Sequence, residues 1–171
     1  MPLNESQDQS KRALIESLSQ EFARLYSHWC SLVEACTADL IYKQLPGPTD
    51  RVLLPSVGET VLRSAAVVEQ TCGGITANLW DDPFEWTLPE TLTTPESIVK
   101  YLGEVETTRR RAFTSLGSDT DLLKDLALPS GELQNLASLL FETLTRANQF
   151  HGQAILTAKI LSAGNTSRFI I

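Results

Sequence analysis

Residues 11–44, KRALIESLSQEFARLYSHWCSLVEACTADLIYKQ, decide the fold. Within them Leu14, Leu18, Phe22, Leu25, Trp29, Leu32 and Cys36 recur at intervals of four and three. That spacing keeps side chains on one face of an α-helix, whereas a strand would alternate every second residue. No glycine or proline interrupts the stretch, so a first helix is expected from about Ser10 to about Tyr42. The residues that follow hold Pro46, Gly47, Pro48 and Pro55 and read as a connector.

Three further helices follow. Ser56, with Glu59 three residues on, has the form of a capping box, and Val57, Val61, Ala65, Val68, Cys72 and Ile75 form the stripe behind it. Gly73 and Gly74 weaken the last turn by about 1 kcal/mol each relative to alanine. The loop from Asn78 to Thr93 carries Trp80, Pro83, Phe84, Trp86 and Pro89, and its aromatic rings are expected to pack over the helices. Thr94-Pro95-Glu96 starts a third helix, with an N-cap, a proline at the first helical position and an acid favoured by the helix dipole. Its stripe is Ile98, Leu102, Val105, Ala112 and Leu116, ending at Gly117. Arg109 falls on that stripe and either reaches a buried carboxylate or snorkels to the surface, the second being favoured. Ser118–Leu128 has room for a short helix. After Pro129-Ser130-Gly131, a fourth helix carries Leu136, Leu140, Leu144, Ala147, His151, Ala154, Ala158 and Leu161, with Gly164 as its C-cap. No segment alternates for long enough to propose a sheet. The expected fold is all-α: a four-helix bundle over residues 11–164, with a flexible N-terminus at 1–10 and a C-terminal tail at 165–171.

The 171 residues suit one domain, and 42% apolar against 20% charged residues suits a packed chain. The net charge of −7 argues against nucleic acid as a partner, because phosphate binding needs clustered lysine and arginine. The run Arg109-Arg110-Arg111 shares its helix with Glu104 and Glu106 and reads as a solvated face. Cys30, Cys36 and Cys72 form neither a paired framework nor a CxxC motif. Cys72, on an inner face with no base beside it in the sequence, reads as a small core residue. The polar start of the chain is unlike a signal peptide, and no apolar run approaches the roughly 20 residues that span a bilayer. The cytoplasm is the expected compartment, with no membrane partner.

The order of these features resembles the DinB/YfiT-like family over nearly the whole chain. The resemblance rests on Ser56-Val57-Gly58-Glu59 opening the second helix and Glu69 further along it. It rests also on Thr93-Thr94-Pro95-Glu96-Ser97 and Leu128-Pro129-Ser130-Gly131, and above all on Arg146-Ala147-Asn148-Gln149-Phe150-His151-Gly152-Gln153. The family often ends its fourth helix with His-x-x-x-His-Arg-Gly-Gln. The resemblance implies a four-helix bundle, a divalent nickel, zinc or iron held by three histidines, and pairing into a homodimer. It also implies, among relatives, thiol transferases that use bacillithiol, mycothiol or glutathione.

This chain departs from that pattern where the chemistry sits. Aligned on Gly152-Gln153, the two ligand positions of the fourth helix become Arg146 and Phe150, and the second-helix position falls near Arg63 or Ser64. Shifted by one residue, His151 becomes a ligand position, with Ala147 as its partner. Neither guanidinium nor phenyl can ligate a metal, and His28 and His151 are the only histidines. The expectation is therefore a non-catalytic member with no metal and no cofactor. Arg63, Arg146, Phe150 and His151 would line an inter-helix cavity for a small anionic or apolar ligand. Plainer readings stand beside it: His151 as a hydrogen-bonded core residue, Arg146 paired with Glu142, Arg63 paired with Glu59, and the tryptophans as core and loop anchors. The alternatives are a thiol transferase with an atypical metal site and a structural protein-interaction module.

Overall fold

The computed structural model describes residues 11–47, 53–83 and 90–163. The expected flexible start, the Gly164 cap, the tail, and Phe84, Trp86 and Pro89 lie outside these residues. Four helices dominate: α1 (Ala13–Glu34), α2 (Val57–Ala77), α3 (Pro95–Ser115) and α4 (Leu136–Ala163). A 3-10 turn covers Asp119–Leu123. Two antiparallel hairpins, too short to have left a sequence pattern, accompany them. β1 (Leu45–Pro46) pairs with β2 (Leu53–Leu54), and β3 (Asp125–Ala127) pairs with β4 (Leu133–Asn135). Pro129-Ser130-Gly131 makes the turn of the second hairpin, with Gly131 at φ 83°. The Ser118–Leu128 stretch is thus a 3-10 turn followed by a strand rather than a short α-helix.

Side-chain and backbone contacts fix the helix directions. Arg12 at the start of α1 donates to the carbonyls of Leu116 and Phe113 at the end of α3, and Arg109 reaches Ser19, so α1 and α3 run antiparallel. Ser64 bonds the Ala147 carbonyl and Thr71 bonds Thr143, so α2 and α4 run antiparallel. Tyr42, which lies against the start of α2, donates its hydroxyl to the Leu92 carbonyl just before α3. Tyr101 meets Glu69 further along both helices, so α2 and α3 run parallel. The order is up, down, down, up, with α1 and α2 facing each other diagonally. A parallel pair needs a return path. α2 is about 31 Å long at 1.5 Å per residue, and the segment from Asn78 to Thr94 can span that distance.

The helix ends are set by specific partners. Ser56 and Glu59 form the expected capping box, and Thr94, the expected N-cap, forms a further box with Ser97. α1 has no such box. Its first amides, Leu14 and Ile15, donate instead to the Asp119 carboxylate at 3.0 Å each. The start of α1 and the end of α3 therefore cap each other through Arg12 and Asp119. α1 stops at Glu34, well short of Tyr42. The Leu40 and Ile41 amides both donate to the Thr37 carbonyl at 3.0 Å, in a run of turns that still buries Cys36, Leu40 and Ile41. Gly73 and Gly74 do not end α2 early. A Cβ on Gly74 would lie 2.5 Å from the Trp80 ring, so the missing side chain is what lets the returning chain lay Trp80 on the helix.

Both faces of the apolar stripes meet in one core around Phe22, Trp29, Leu62, Ile98, Leu102 and Leu140. The first stripe enters it through Ile15 rather than Leu14, which is exposed. Arg109 corrects the favoured reading: it does not snorkel. It is 4% exposed and gives two hydrogen bonds to Glu106, at 2.7 and 2.8 Å, and one to Ser19 Oγ at 2.9 Å, with its guanidinium 5.4 Å from the centre of the Phe113 ring. The arginine run is therefore not one solvated face: Arg110 and Arg111 are exposed, Arg109 is not.

Candidate functional site

The site implied by the resemblance lies between α2 and α4, and the helix faces there can be read directly. Ser64, Ala147 and His151 point into the bundle. Arg63 and Arg146 are exposed, and Phe150 is half-buried. The inward set is thus the one given by shifting the fourth-helix alignment by one residue, because Ala147 and His151 belong to the apolar stripe and Arg146 and Phe150 lie one step around from it. Of the four residues expected to line a cavity, only His151 is buried; the two guanidinium groups do not enter the interior.

That interior is closed by the chain's own polar contacts. The indole Nε1 of Trp29, on α1, donates to Ser64 Oγ at 2.9 Å, and Ser64 Oγ donates to the Ala147 carbonyl at 2.6 Å. Two turns further along α2 and one turn back along α4, Thr71 and Thr143 share a hydrogen bond of 2.8 Å, and Thr143 also donates to the Leu139 carbonyl. Buried polar groups are stable when paired in this way. Trp29 is thus a core anchor and not a cavity wall. Burial pushes the Cys72 thiol up to about 12 and the Cys36 thiol to about 11, so neither supplies a thiolate.

The two histidines meet. His28 on α1 and His151 on α4 stack with ring centroids 5.7 Å apart and planes 15° from parallel. His28 is exposed, while His151 is buried and its Nδ1 has no hydrogen-bond partner. The plain expectation of a hydrogen-bonded core histidine is therefore not met at Nδ1. Burial first, and then the neighbouring His28 charge, lower the His151 pKa to about 4, so the ring is neutral at pH 7. Sequence reasoning missed this pair because the residues are 123 positions apart, and no local pattern signals a contact between α1 and α4. Among the described residues, no group of three or more histidine, cysteine or acidic side chains is placed to hold a metal ion.

Open space lies elsewhere. A groove of about 530 Å³ runs between α2, α3 and the segment from Leu79 to Pro83. Among the described residues its polar lining includes Glu69, Asp81, Glu104 and Arg111, and its apolar lining includes Leu79, Pro83 and the Tyr101 ring. The Tyr101 hydroxyl donates to Glu69 at 2.6 Å and so fixes that carboxylate at the wall. Gln70 donates to the Trp80 carbonyl at 2.7 Å and ties the loop to α2. A second groove of about 400 Å³, between α1 and α3, has Arg12 and Arg110 in its wall. Both guanidinium groups are already engaged, by the α3 carbonyls and by Glu106. Among the described residues, no helix is long and apolar enough to cross a membrane. Neither a scan of protein-family models nor a search of characterised proteins finds a match to this chain.

Proposed function

We propose that this chain is a DinB-like four-helix bundle that acts without catalysis, as a homodimer, and holds a small ligand in the groove between α2 and α3. The groove is the observation that carries the ligand reading: among the described residues Glu69, Asp81, Glu104 and Arg111 line it beside Leu79, Pro83 and the Tyr101 ring, and Tyr101 holds Glu69 in place. This lining amends the ligand's charge. An anion would meet the carboxylates of Glu69, Asp81 and Glu104, whereas an aliphatic amine would place its ammonium against one of them and its carbon chain against Leu79 and Tyr101. Between α2 and α4 the level of Ala147 is taken up by Trp29 and Ser64, which hydrogen-bond each other and the Ala147 carbonyl.

The test is a thermal-shift series on the whole chain with alkyl amines and carboxylic acids of matched length. Amines should raise the midpoint by mass action, acids should not, and Glu69→Gln with Glu104→Gln should abolish the effect. A shift that survives the double substitution, or no shift with any amine, refutes the groove as the binding site.

A second reading, a thiol transferase with an atypical metal site, draws on the His28–His151 pair. Two imidazoles are one donor short of the trio that the resemblance implies. Elemental analysis after growth with added nickel and zinc separates the readings: stoichiometric metal lost in His151→Ala favours the enzyme.

A further inference from the structure

The groove between α2 and α3 is charged unevenly along its length. The two helices run parallel and Tyr101 bonds Glu69, so each position on α3 lies level with the one 32 residues earlier on α2. Thr108 is thus level with Thr76, and Arg111 with the end of α2. Glu104, Thr108 and Arg111 line the groove from one face of α3, at steps of four and three. Arg111 stands about 10 Å beyond Glu104 along the axis, at 1.5 Å per residue. Asp81 belongs with Glu69, because Gln70 holds the Trp80 carbonyl just before it at 2.7 Å. Among the described residues the carboxylates therefore gather toward one end, and Arg111 stands at the other.

The wall between these ends asks for no polar group. Gly73 and Ala77 carry none in their side chains. The hydroxyls of Thr76 and Thr108 donate to the Cys72 and Glu104 carbonyls of their own helices, at 2.8 and 3.2 Å. Glu104 and Arg111 are exposed, and among the described residues neither forms an ion pair.

We infer that the ligand of this groove is a linear ω-amino acid, its ammonium among Glu69, Asp81 and Glu104 and its carboxylate on Arg111. The inference rests on the ligand reading of the proposed function and narrows it from an amine to an amine with a carboxylate at its far end. Helix side chains lean toward the N-terminus, and Arg111, the longer of the two, leans further than Glu104. The charged tips are thus closer together than their backbones. A six-carbon ω-amino acid has six bonds from nitrogen to carboxyl carbon and spans about 7 Å when extended. An α-amino acid carries both charges on one carbon and cannot reach both ends. Adding a carboxylate to an amine brings it within about a Debye length of Glu69, Asp81 and Glu104, in a chain of net charge −7. That addition weakens binding unless a cation receives it. Arg111 is exposed, so its pairing contributes a modest factor, about two- to five-fold.

Thermal-shift titrations of the whole chain with hexylamine, the six-carbon ω-amino acid and its α-amino isomer test this. The ω-amino acid should bind about two- to five-fold more tightly than hexylamine, and the α-isomer more weakly than either. Arg111→Gln should keep hexylamine binding and reverse the order of the first two. Arg111→Glu should strengthen hexylamine and weaken the ω-amino acid further. Unchanged helical circular dichroism confirms that these surface variants fold. No shift with hexylamine, or one that survives Glu69→Gln with Glu104→Gln, overturns the groove as a ligand site and the zwitterion with it. Hexylamine binding with the ω-amino acid no tighter, or a preference for the ω-amino acid that persists in Arg111→Gln, overturns the zwitterion alone. An α-isomer that binds as tightly as the ω-amino acid overturns the end-to-end placement.

Discussion

The Glu106–Arg109 pair offers the sharpest test of how the bundle is held together. Their side chains are 7% and 5% exposed, and two hydrogen bonds join them directly. Glu106→Gln keeps the shape and removes the charge, leaving a guanidinium buried between α1 and α3 without its anion. Removing one partner of a buried pair costs about 3–5 kcal/mol. Urea unfolding with a slope of about 2 kcal/mol per molar then places the midpoint about 1.5–2.5 M lower. Arg110 also bonds Glu106 but has a 72% exposed side chain, so Arg110→Ala should move the midpoint little. The double variant Glu106→Leu with Arg109→Met should lie closer to the parent than Glu106→Gln does, because it leaves no charge stranded. A fall of less than about 0.5 M in Glu106→Gln, or a double variant as unstable as the single, would refute the account. Acid should act in the same direction. Burial raises the Glu106 pKa, the hydrogen bonds from Arg109 and Arg110 outweigh it, and the net shift is downward. The pair's contribution is therefore full above the ordinary carboxylate pKa and lost as pH falls through the lowered folded value.

Other perturbations read single contacts. Ser64→Ala strands the Trp29 indole N–H in the core and should cost about 1–3 kcal/mol, measured by urea unfolding followed through tryptophan fluorescence; an unchanged midpoint would mean the indole finds another partner. Asp119→Ala removes the acceptor for the first amides of α1 and should cost about 1 kcal/mol, with amide exchange rising at Leu14 and Ile15. His151 has a lowered folded pKa of about 4 against 6.5 unfolded, so below 6.5 the unfolded chain takes up a proton that the folded chain refuses. Stability from this group is full above 6.5 and falls until about pH 4. The difference between parent and His151→Phe midpoints should shrink or change sign across that window, and a constant difference would contradict the burial argument.

What could be read from the sequence divides along a physical line. The capping box at Ser56 and the N-cap at Thr94 are local chemistry, so four residues suffice to recognise them. The stripes predicted the core because burial follows helical period. The end of α1 was illegible, since Cys36, Leu40 and Ile41 continue the apolar spacing through turns and no proline or glycine marks the break. Arg109 was legible in position but not in fate. Its place on the stripe indicated burial, and Glu106 three residues earlier was the available sign of a partner, yet Ser19 and Phe113 complete the site from another helix and another turn. The hairpins, two or three residues per strand, are shorter than any alternation that could announce them.

The α2–α4 interface shows why a motif alignment alone could not say which residues face inward. Two registers differ by one residue, and a one-residue step on a helix is 100° of rotation. One register of α4 puts Arg146 and Phe150 inward and the other Ala147 and His151; the structure buries the second pair, and on α2 it buries Ser64 and not Arg63. The deciding physics is desolvation: turning two arginines inward would strand two charges without carboxylates, whereas serine and alanine bury at little cost. Once Ser64 and Ala147 face each other, Trp29 can reach between them and complete the chain of hydrogen bonds. Three helices thus enclose an indole at the level of Ala147, while the Glu69 carboxylate is held by Tyr101 beside the groove between α2 and α3.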